Sequence, residues 1–599
     1  MAEILREQYE SAFSKNQDDD DDEEDEPADE EEEEDGVNQE EAEFSDIAIN
    51  ANDVAEAIDK LSMWSGPGPD GVSGILLKKA KWPIARMLTN ILQASLDTAS
   101  IPDVLKLAFI CPTLKPSGSR ERAASWRPIS LTSHVVKTWE RVIRKALINF
   151  LEVNEKMDPN QHGSRQNRSC LSQLLEHHDE VLKIMEEGSN VDVVYSDFEK
   201  AYDKVDHNEL ISKMKKQFNI KGKMLKWMKE FLQNRKQQVL VEGRLSKVSK
   251  VVSGSVQGSV LGPVMFLMYV RDLSKNMTAD TKIFVDDAKL KNKIRTEEDV
   301  EEMQENVNKL FEWENENKMK CNGAKFQVMR YGYNQEIKDN TVYFTKEMEG
   351  VIEQFDNLRD LGVIMTDDAK FTSHINKVVK QVRQKVGWML RTFYSRKTEI
   401  LKQLWKSLAQ CHVDYCSQLY MPEGESSDMT RIEKLFYDFS SKIPEIRNMN
   451  YWERIKHLKM FSQQRRMERY RIIYMWKCLE GKVPACGVTS AAANARLGRR
   501  AAVPGLRPGG RRAVQTMREQ SFQINGARLF NCLPRKLRDM TRDQDQFKAA
   551  LDQHLAGIPD QPRMAGLVPT AVDQISGKQS NSLLAWCGRT GGAVPITEC

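Results

Sequence analysis

The chain has 599 residues, with 88 Lys and Arg against 88 Asp and Glu; that length exceeds a single core and suits about three or four domains. The zero net charge hides an asymmetry, because residues 18–35, DDDDDEEDEPADEEEEED, hold 16 acids and no base, leaving 88 bases against 72 acids elsewhere, a net +16. A basic body suits a polyanionic partner, with the acidic segment either competing for the same surface or serving as a solubilising spacer. No apolar run reaches the roughly 18 residues of a membrane span, and the start, MAEILREQYESAF, lacks the pattern of a signal peptide. The ten cysteines form no C-x-x-C pair and no zinc spacing, which points to a reducing, intracellular setting, nucleus or cytoplasm, and not to secretion.

In chain order, residues 1–45 read as a disordered acidic leader. DIAINANDVAEAIDKLSM (46–63) reads as an amphipathic helix with Val54, Ile58 and Leu61 on one face and Asn52 or Asp53 as cap. GPGPDGV (66–72) breaks the chain, and 72–98 turn helical again. Residues 107–135 look extended, 136–152 and 168–187 helical, and VDVVYSDF (191–198) a strand. Residues 207–234 are helical, QQVLVEG and VVSGSV suggest a hairpin, VLGPVMFLMYVRDLSKNM a helix and TKIFVDDAKLKN a second hairpin. A helix follows from 297, with Val300, Met303, Val307 and Leu310 in register, then a strand at 325–332. From 370 to 394 Phe371, Ile375, Val378, Val382, Val386 and Met389 mark a long helix, and further helices run to about 480. Residues 481–518 carry eight Lys or Arg and no acid, a helical stretch spans about 519–555, and the last forty or so residues lack periodicity and read as disordered.

The chemistry starts at TKIFVDDAKL (281–290), where Ile283, Phe284 and Val285 run into Asp286 and Asp287. Two unit charges about 4 Å apart repel by roughly 4 kcal/mol at an effective dielectric of 20. A solvated turn disperses that cost in water; a divalent cation turns the pair into a catalyst. The dipeptide alone does not decide, since GVIMTDDAKF sets Asp367 and Asp368 after another apolar run. VVYSDFEKAYDKVDH (193–207) supplies a third strand-end acid, Asp197. Two neighbouring strands ending in acids suit a two-metal clamp for phosphoryl transfer.

The order of motifs resembles the reverse transcriptase (RNA-directed DNA polymerase) of non-LTR retrotransposons, jockey-like mobile elements in particular. GPGPDGV, WRPISL (126–131), QHGSRQNRSCLSQL (161–174), DFEKAYDKV, SGSVQGSVLGPVMFLMYVRDL (253–273) and FVDD follow in the family's sequence. WENENKMKCNGAKFQVMRYG (313–332), LRDLGVIMTDDAKFTSHI (358–375), DYCSQLY (414–420) and FNCLPRKLRD (530–539) extend it. The resemblance covers roughly residues 50–560 and implies an α+β right-hand polymerase: fingers, a palm with an antiparallel sheet, a helical thumb, a helical C-terminal region and disordered termini. Its divisions are a leader at 1–45, a helical extension of the fingers at 46–100, fingers and palm at 101–365, thumb and connection at 366–480, a basic C-terminal region at 481–556 and a tail at 557–599. Only about 50 residues precede the polymerase, so the expectation is a chain lacking the endonuclease domain.

The resemblance further implies that Asp197, Asp286 and Asp287 are the catalytic, metal-binding triad, with the Phe198 carbonyl on the nucleotide-side ion. The ions expected are two Mg²⁺, with Mn²⁺ as an alternative. Tyr202 takes the position that excludes a ribose 2′-hydroxyl, Arg127 and Lys115 are candidates for the triphosphate, Gln257 and Gly258 for the template–nucleotide turn, and Lys325 for protonating pyrophosphate. Asp367 and Asp368 then fall outside the catalytic core, as a solvated turn. Expected partners are an RNA template, a DNA primer and deoxynucleoside triphosphates. Competing readings are a catalytically silent retrotransposon fragment that binds RNA, and an RNA-dependent RNA polymerase, against which VQGSVLGP and Tyr202 argue.

Overall fold

The computed structural model describes residues 1–13, 42–115, 118–345, 350–422, 424, 426–492, 498–561, 583–584 and 587. The acidic run 18–35 lies outside them. Residues 2–10, part of the expected disordered leader, instead form a helix, because Leu5 and Tyr9 bury against Ile110 and Val239. Leu583 in the expected tail is likewise buried, its N–H donating to Glu468 Oε1 at 3.1 Å.

One sheet is built from β1 (Leu107–Leu114), β2 (Trp126–Leu131), β4 (Arg235–Val241), β5 (Arg244–Leu245) and β6 (Ser249–Val251). β1 pairs antiparallel with β2 and parallel with β4. The second sheet has the order β10-β9-β3-β8-β7, from β3 (Asn190–Ser196), β7 (Asp280–Phe284), β8 (Asp287–Ile294), β9 (Gln327–Tyr331) and β10 (Glu353–Gln354). Its β3, β7, β8 and β9 are antiparallel throughout, but β10 joins β9 in parallel, so the sheet is mixed where an antiparallel one was expected. A separate hairpin joins β11 (Asn357–Asp360) and β12 (Val363–Thr366).

β3 carries valines on both faces, Val191 and Val193 on one and Val194 on the other, because both faces are covered. Val194 packs with Trp139, Trp227 and Phe266 on one side. Val191 and Val193 pack on the other with Tyr331, Trp476, Phe530 and Phe547, which brings the C-terminal helices under this sheet. The helices Thr372–Thr392 and Ser427–Ser440 share a third cluster around Trp405.

Two local expectations are corrected. Asn50, not Asn52 or Asp53, caps the helix Ala51–Asp59, its side chain accepting both of those residues' N–H groups. The helix expected over 260–277 spans only Gly262–Tyr269. Pro263 suits its first turn, and its last carbonyl, Tyr269 O, accepts from Lys213 Nζ at 2.8 Å while Asp272 holds the same ammonium, so the chain turns away.

The turn between β7 and β8 carries a cost. Phe284 pairs with Asp287 across a two-residue turn, Val285–Asp286. Val285 sits at φ +61°. A β-branched residue in that left-handed region stores on the order of 1–3 kcal/mol of strain.

Candidate active site

β3 and β8 end side by side, Ser196 opposite Ala288, and the Ser196 hydroxyl donates to the Ala288 carbonyl at 3.2 Å. This register sets Asp197, the next residue along from β3, beside the Asp286–Asp287 turn. The Asp197 carbonyl accepts from Asn322 N–H at 2.8 Å, and Glu199 N–H donates to Lys320 O at 2.8 Å. That bridge leaves the Phe198 carbonyl out of its own bonds, while the buried Phe198 ring packs on Trp313 with centroids 5.7 Å apart.

The electrostatics are those of crowded carboxylates. Burial raises the Asp286 carboxyl above its ordinary value and Asp197 adds repulsion, opposed by Lys325 and Arg127. Asp287 is exposed at the strand end, yet partial desolvation in the cleft and the charges of Asp286, Asp197 and Asp360 push its carboxyl up to about 7. Asp197 is ion-paired with the Lys325 ammonium. Among the described residues no three Asp, Glu, His or Cys side chains converge into a ready cation cage. The expected triad is therefore neighbouring but not closed, with Lys325 supplying the positive charge at Asp197. A donor set of few carboxylates, held near one another at electrostatic cost, fits Mg²⁺, which takes most of its ligands from water and phosphate.

Tyr202 is half-buried, its ring stacked on Phe266 with centroids 4.6 Å apart and planes 14° from parallel. Burial, with Asp286 nearby, raises its hydroxyl to about 12. Gln257 and Gly258 form the turn against β2: Ser130 N–H donates to Gln257 O at 2.8 Å. Gly258 has φ +109°, and a Cβ there would lie 2.6 Å from Ser130 O. The Gln257 side chain points inward, donating to Asp203 Oδ1 at 2.9 Å, where burial raises Asp203 to about 6. Arg127 is exposed on β2. Lys115 is exposed at the end of β1, and its ammonium donates to Ala124 O at 2.9 Å.

Sequence reasoning missed one wall. A cavity of about 300 Å³ is lined by Asp197, Asp287, Lys289, Lys325, Arg359 and Asp360, among others. Beneath it Lys289 and Asp360 form a buried ion pair at 2.5 Å. The stretch assigned outside the core thus splits. Its start, 358–361, lines the cavity, while Asp367 and Asp368 sit in a turn, Asp367 paired with Lys338 at 3.2 Å and Asp368 accepting from Thr366 Oγ1 at 2.6 Å. Tyr415, from DYCSQLY, props the hairpin by donating to Leu361 O at 2.6 Å. The signal was present in the order of those two motifs but not in their separation of some fifty residues.

Residues 114–385 match the model of the family Reverse transcriptase (RNA-dependent DNA polymerase). The chain carries a reverse transcriptase domain. Asp197, Asp286, Asp287 and Lys325 all fall inside the matched reverse transcriptase segment. The chain is 32% identical over 225 residues to "Probable RNA-directed DNA polymerase from transposon BS" of Drosophila melanogaster, covering 38% of this chain and 25% of the relative. It is 25% identical over 374 residues to "Probable RNA-directed DNA polymerase from transposon X-element" of the same species, covering 59% and 40%. It is 27% identical over 226 residues to "RNA-directed DNA polymerase from mobile element jockey", also of that species, covering 38% and 24%. The chain therefore spans between about a quarter and two fifths of the length of these relatives. No helix among the described residues is long and apolar enough to cross a membrane.

Proposed function

We propose that this chain is an RNA-directed DNA polymerase of non-LTR retrotransposon type, copying RNA into DNA from a DNA primer by nucleotidyl transfer. The observation that carries the reading is the pair of adjacent strand ends, β3 and β8, which set Asp197 beside Asp286 and Asp287 within the family-matched segment. In this reading the sheet β10-β9-β3-β8-β7 is the palm, the sheet around β1 and β2 belongs to the fingers, and the helices from Thr372 to about 480 form the thumb and connection.

Asp197, Asp286 and the Phe198 carbonyl would hold two Mg²⁺, with Asp287 in support; when bound, these ions activate the attacking hydroxyl and steady the leaving pyrophosphate. The protein groups orient the rest. Lys325, already at the acids, neutralises Asp197 and is placed to give a proton to pyrophosphate. Arg127 offers a forked phosphate contact from β2. Lys115 would have to leave the Ala124 carbonyl to join it. Tyr202, braced by Phe266, forms a wall against a 2′-hydroxyl. Gly258 lets the backbone approach template and nucleotide closely, and exposed Arg359 on β11 lines the cavity with Asp197 and Asp287.

Primer extension on an RNA template, run with deoxynucleotides, then ribonucleotides, then without divalent cation, tests this. DNA synthesis that needs the cation supports it. Template binding without synthesis would move the assignment to a silent RNA-binding fragment, and ribonucleotide use to an RNA polymerase.

A further inference from the structure

The strained Val285 has a partner from a distant part of the chain. Residues 160–163 run beside the end of β7: Ile283 N–H donates to Asn160 O at 3.0 Å and His162 N–H to Ile283 O at 2.8 Å. Between them Gln161, 2% exposed, reaches over the turn. Its Oε1 accepts from Val285 N–H at 2.8 Å and from Gly163 N–H at 2.8 Å, and its Nε2 donates to the Val285 carbonyl at 3.3 Å. One amide thus grips both peptide groups of Val285. Gly163 completes the fit, since a Cβ there would stand 2.6 Å from Val285 N and 2.5 Å from its Cγ2.

A two-residue turn favours Gly, Asn or Asp where φ is positive. Here a valine holds that place, immediately before the two acids. Released, it would return towards negative φ, and the side chains of the turn, Asp286 first, would be re-aimed. The strand ladder closes at the Phe284–Asp287 pair and the Val285 side chain packs against the core, but the Gln161 amide bonds both peptide groups of Val285 at the tip itself.

We infer that Gln161 is a positioning residue: its amide locks Val285 in the left-handed conformation and so aims the Asp286–Asp287 carboxylates at the Asp197 side of the cleft. The inference rests on the cation-binding reading given under Proposed function. Gln161 touches neither nucleotide nor cation in this role; it acts through the backbone of the turn.

The test uses the full chain and Mn²⁺ alone, titrated by the loss of the free-ion electron paramagnetic resonance signal. Gln161→Met fills the same space without the hydrogen bonds, and Asp286→Asn is the control for the site. Gln161→Met is expected to weaken Mn²⁺ binding at least tenfold and to slow primer extension in kcat, with the nucleotide KM changed less than threefold. In a Val285→Gly background, where positive φ costs nothing, the same substitution is expected to lose much less. If Gln161→Met fails to fold, Gly163→Ala displaces the clamp from the other side and is expected to show the same loss of Mn²⁺ binding. Wild-type Mn²⁺ affinity in a folded Gln161→Met or Gly163→Ala protein, with Asp286→Asn impaired, would overturn the clamp while leaving the metal reading intact. An equal penalty in the glycine background would overturn its route through Val285. Unchanged binding in Asp286→Asn would remove the metal reading itself.

Discussion

Tyr202 stacks on Phe266 and presents its hydroxyl to the field of Asp286, so the ring has little freedom to yield. A rigid ring under the sugar excludes by clash. Tyr202→Val is expected to lower the preference for deoxy- over ribonucleotides at least tenfold, about 1.4 kcal/mol, while deoxynucleotide use falls modestly. Steady-state incorporation of matched nucleotides on one RNA template measures the ratio, and an unchanged ratio would reduce Tyr202 to packing. At this scale the acids were legible in the sequence because charges after an apolar run announce a strand end. Gln161 was quoted within a motif, but its bond to Val285 joins residues 124 apart, and no local pattern encodes it. Asp203 was hidden for the same reason: its partner Gln257 lies 54 residues on.

The hairpin β11–β12 is fastened to the helix Cys170–Glu186 by a neutral histidine. His178 Nε2 donates to Ala369 O at 3.1 Å and its ring packs on Phe371 with centroids 4.8 Å apart. Burial lowers its pKa to about 4, helped by the positive charges of Arg471 and Arg518 and opposed by the bond to Ala369. The folded value lies below the unfolded 6.5, so the unfolded chain takes up the proton first. The contribution of His178 is complete above pH 6.5 and is lost as pH falls towards 4. Between pH 7.5 and pH 5 it should cost about 2 kcal/mol. Urea unfolding at the two pH values is expected to show the drop, and His178→Gln to shrink it; equal drops in both proteins would place the acid sensitivity elsewhere. The helices Glu297–Glu316 and Thr372–Thr392 and the strands β3, β7, β8 and β9 were legible in the sequence, whereas 207–234 is two helices, His207–Lys216 and Gly222–Leu232, and β10, β11 and β12 were not expected. The short helix Gly262–Tyr269 was overextended because Lys213, from another helix, ends it. The hairpin's place at the cavity was invisible because Tyr415 and His178 set it through tertiary contacts.

Across the whole molecule, the family match ends at residue 385 but the packing does not. Trp476 buries on Phe547 with centroids 4.9 Å apart, donates to Met540 O at 2.7 Å, and belongs to the same cluster as Val191, Val193, Met329 and Tyr331 of the central sheet. Burying each such side chain is worth about 1.5–3 kcal/mol, against a typical total stability of 5–15 kcal/mol. A chain ending at 385 is therefore expected to be insoluble or to melt without cooperativity, where one ending at 561 folds; a sharp thermal transition for the shorter chain would contradict this. The basic run 481–518 carries no acid of its own. Part of it is spent internally, Arg499 on Glu480 and Arg518 on Glu186 at 3.5 Å, because the neutralising acids lie in other segments.

The acids at the β3 and β8 ends are tested most directly by extension of a DNA primer on an RNA template by the full chain and by its Asp286→Ala variant, with deoxynucleotides and Mg²⁺. The wild-type chain should synthesise DNA, and the variant, folded and still binding the template, should be slower by at least about a thousandfold, some 4 kcal/mol of transition-state stabilisation. An Asp286→Ala protein that extends the primer at the wild-type rate would contradict the assignment of these carboxylates as the centre of catalysis.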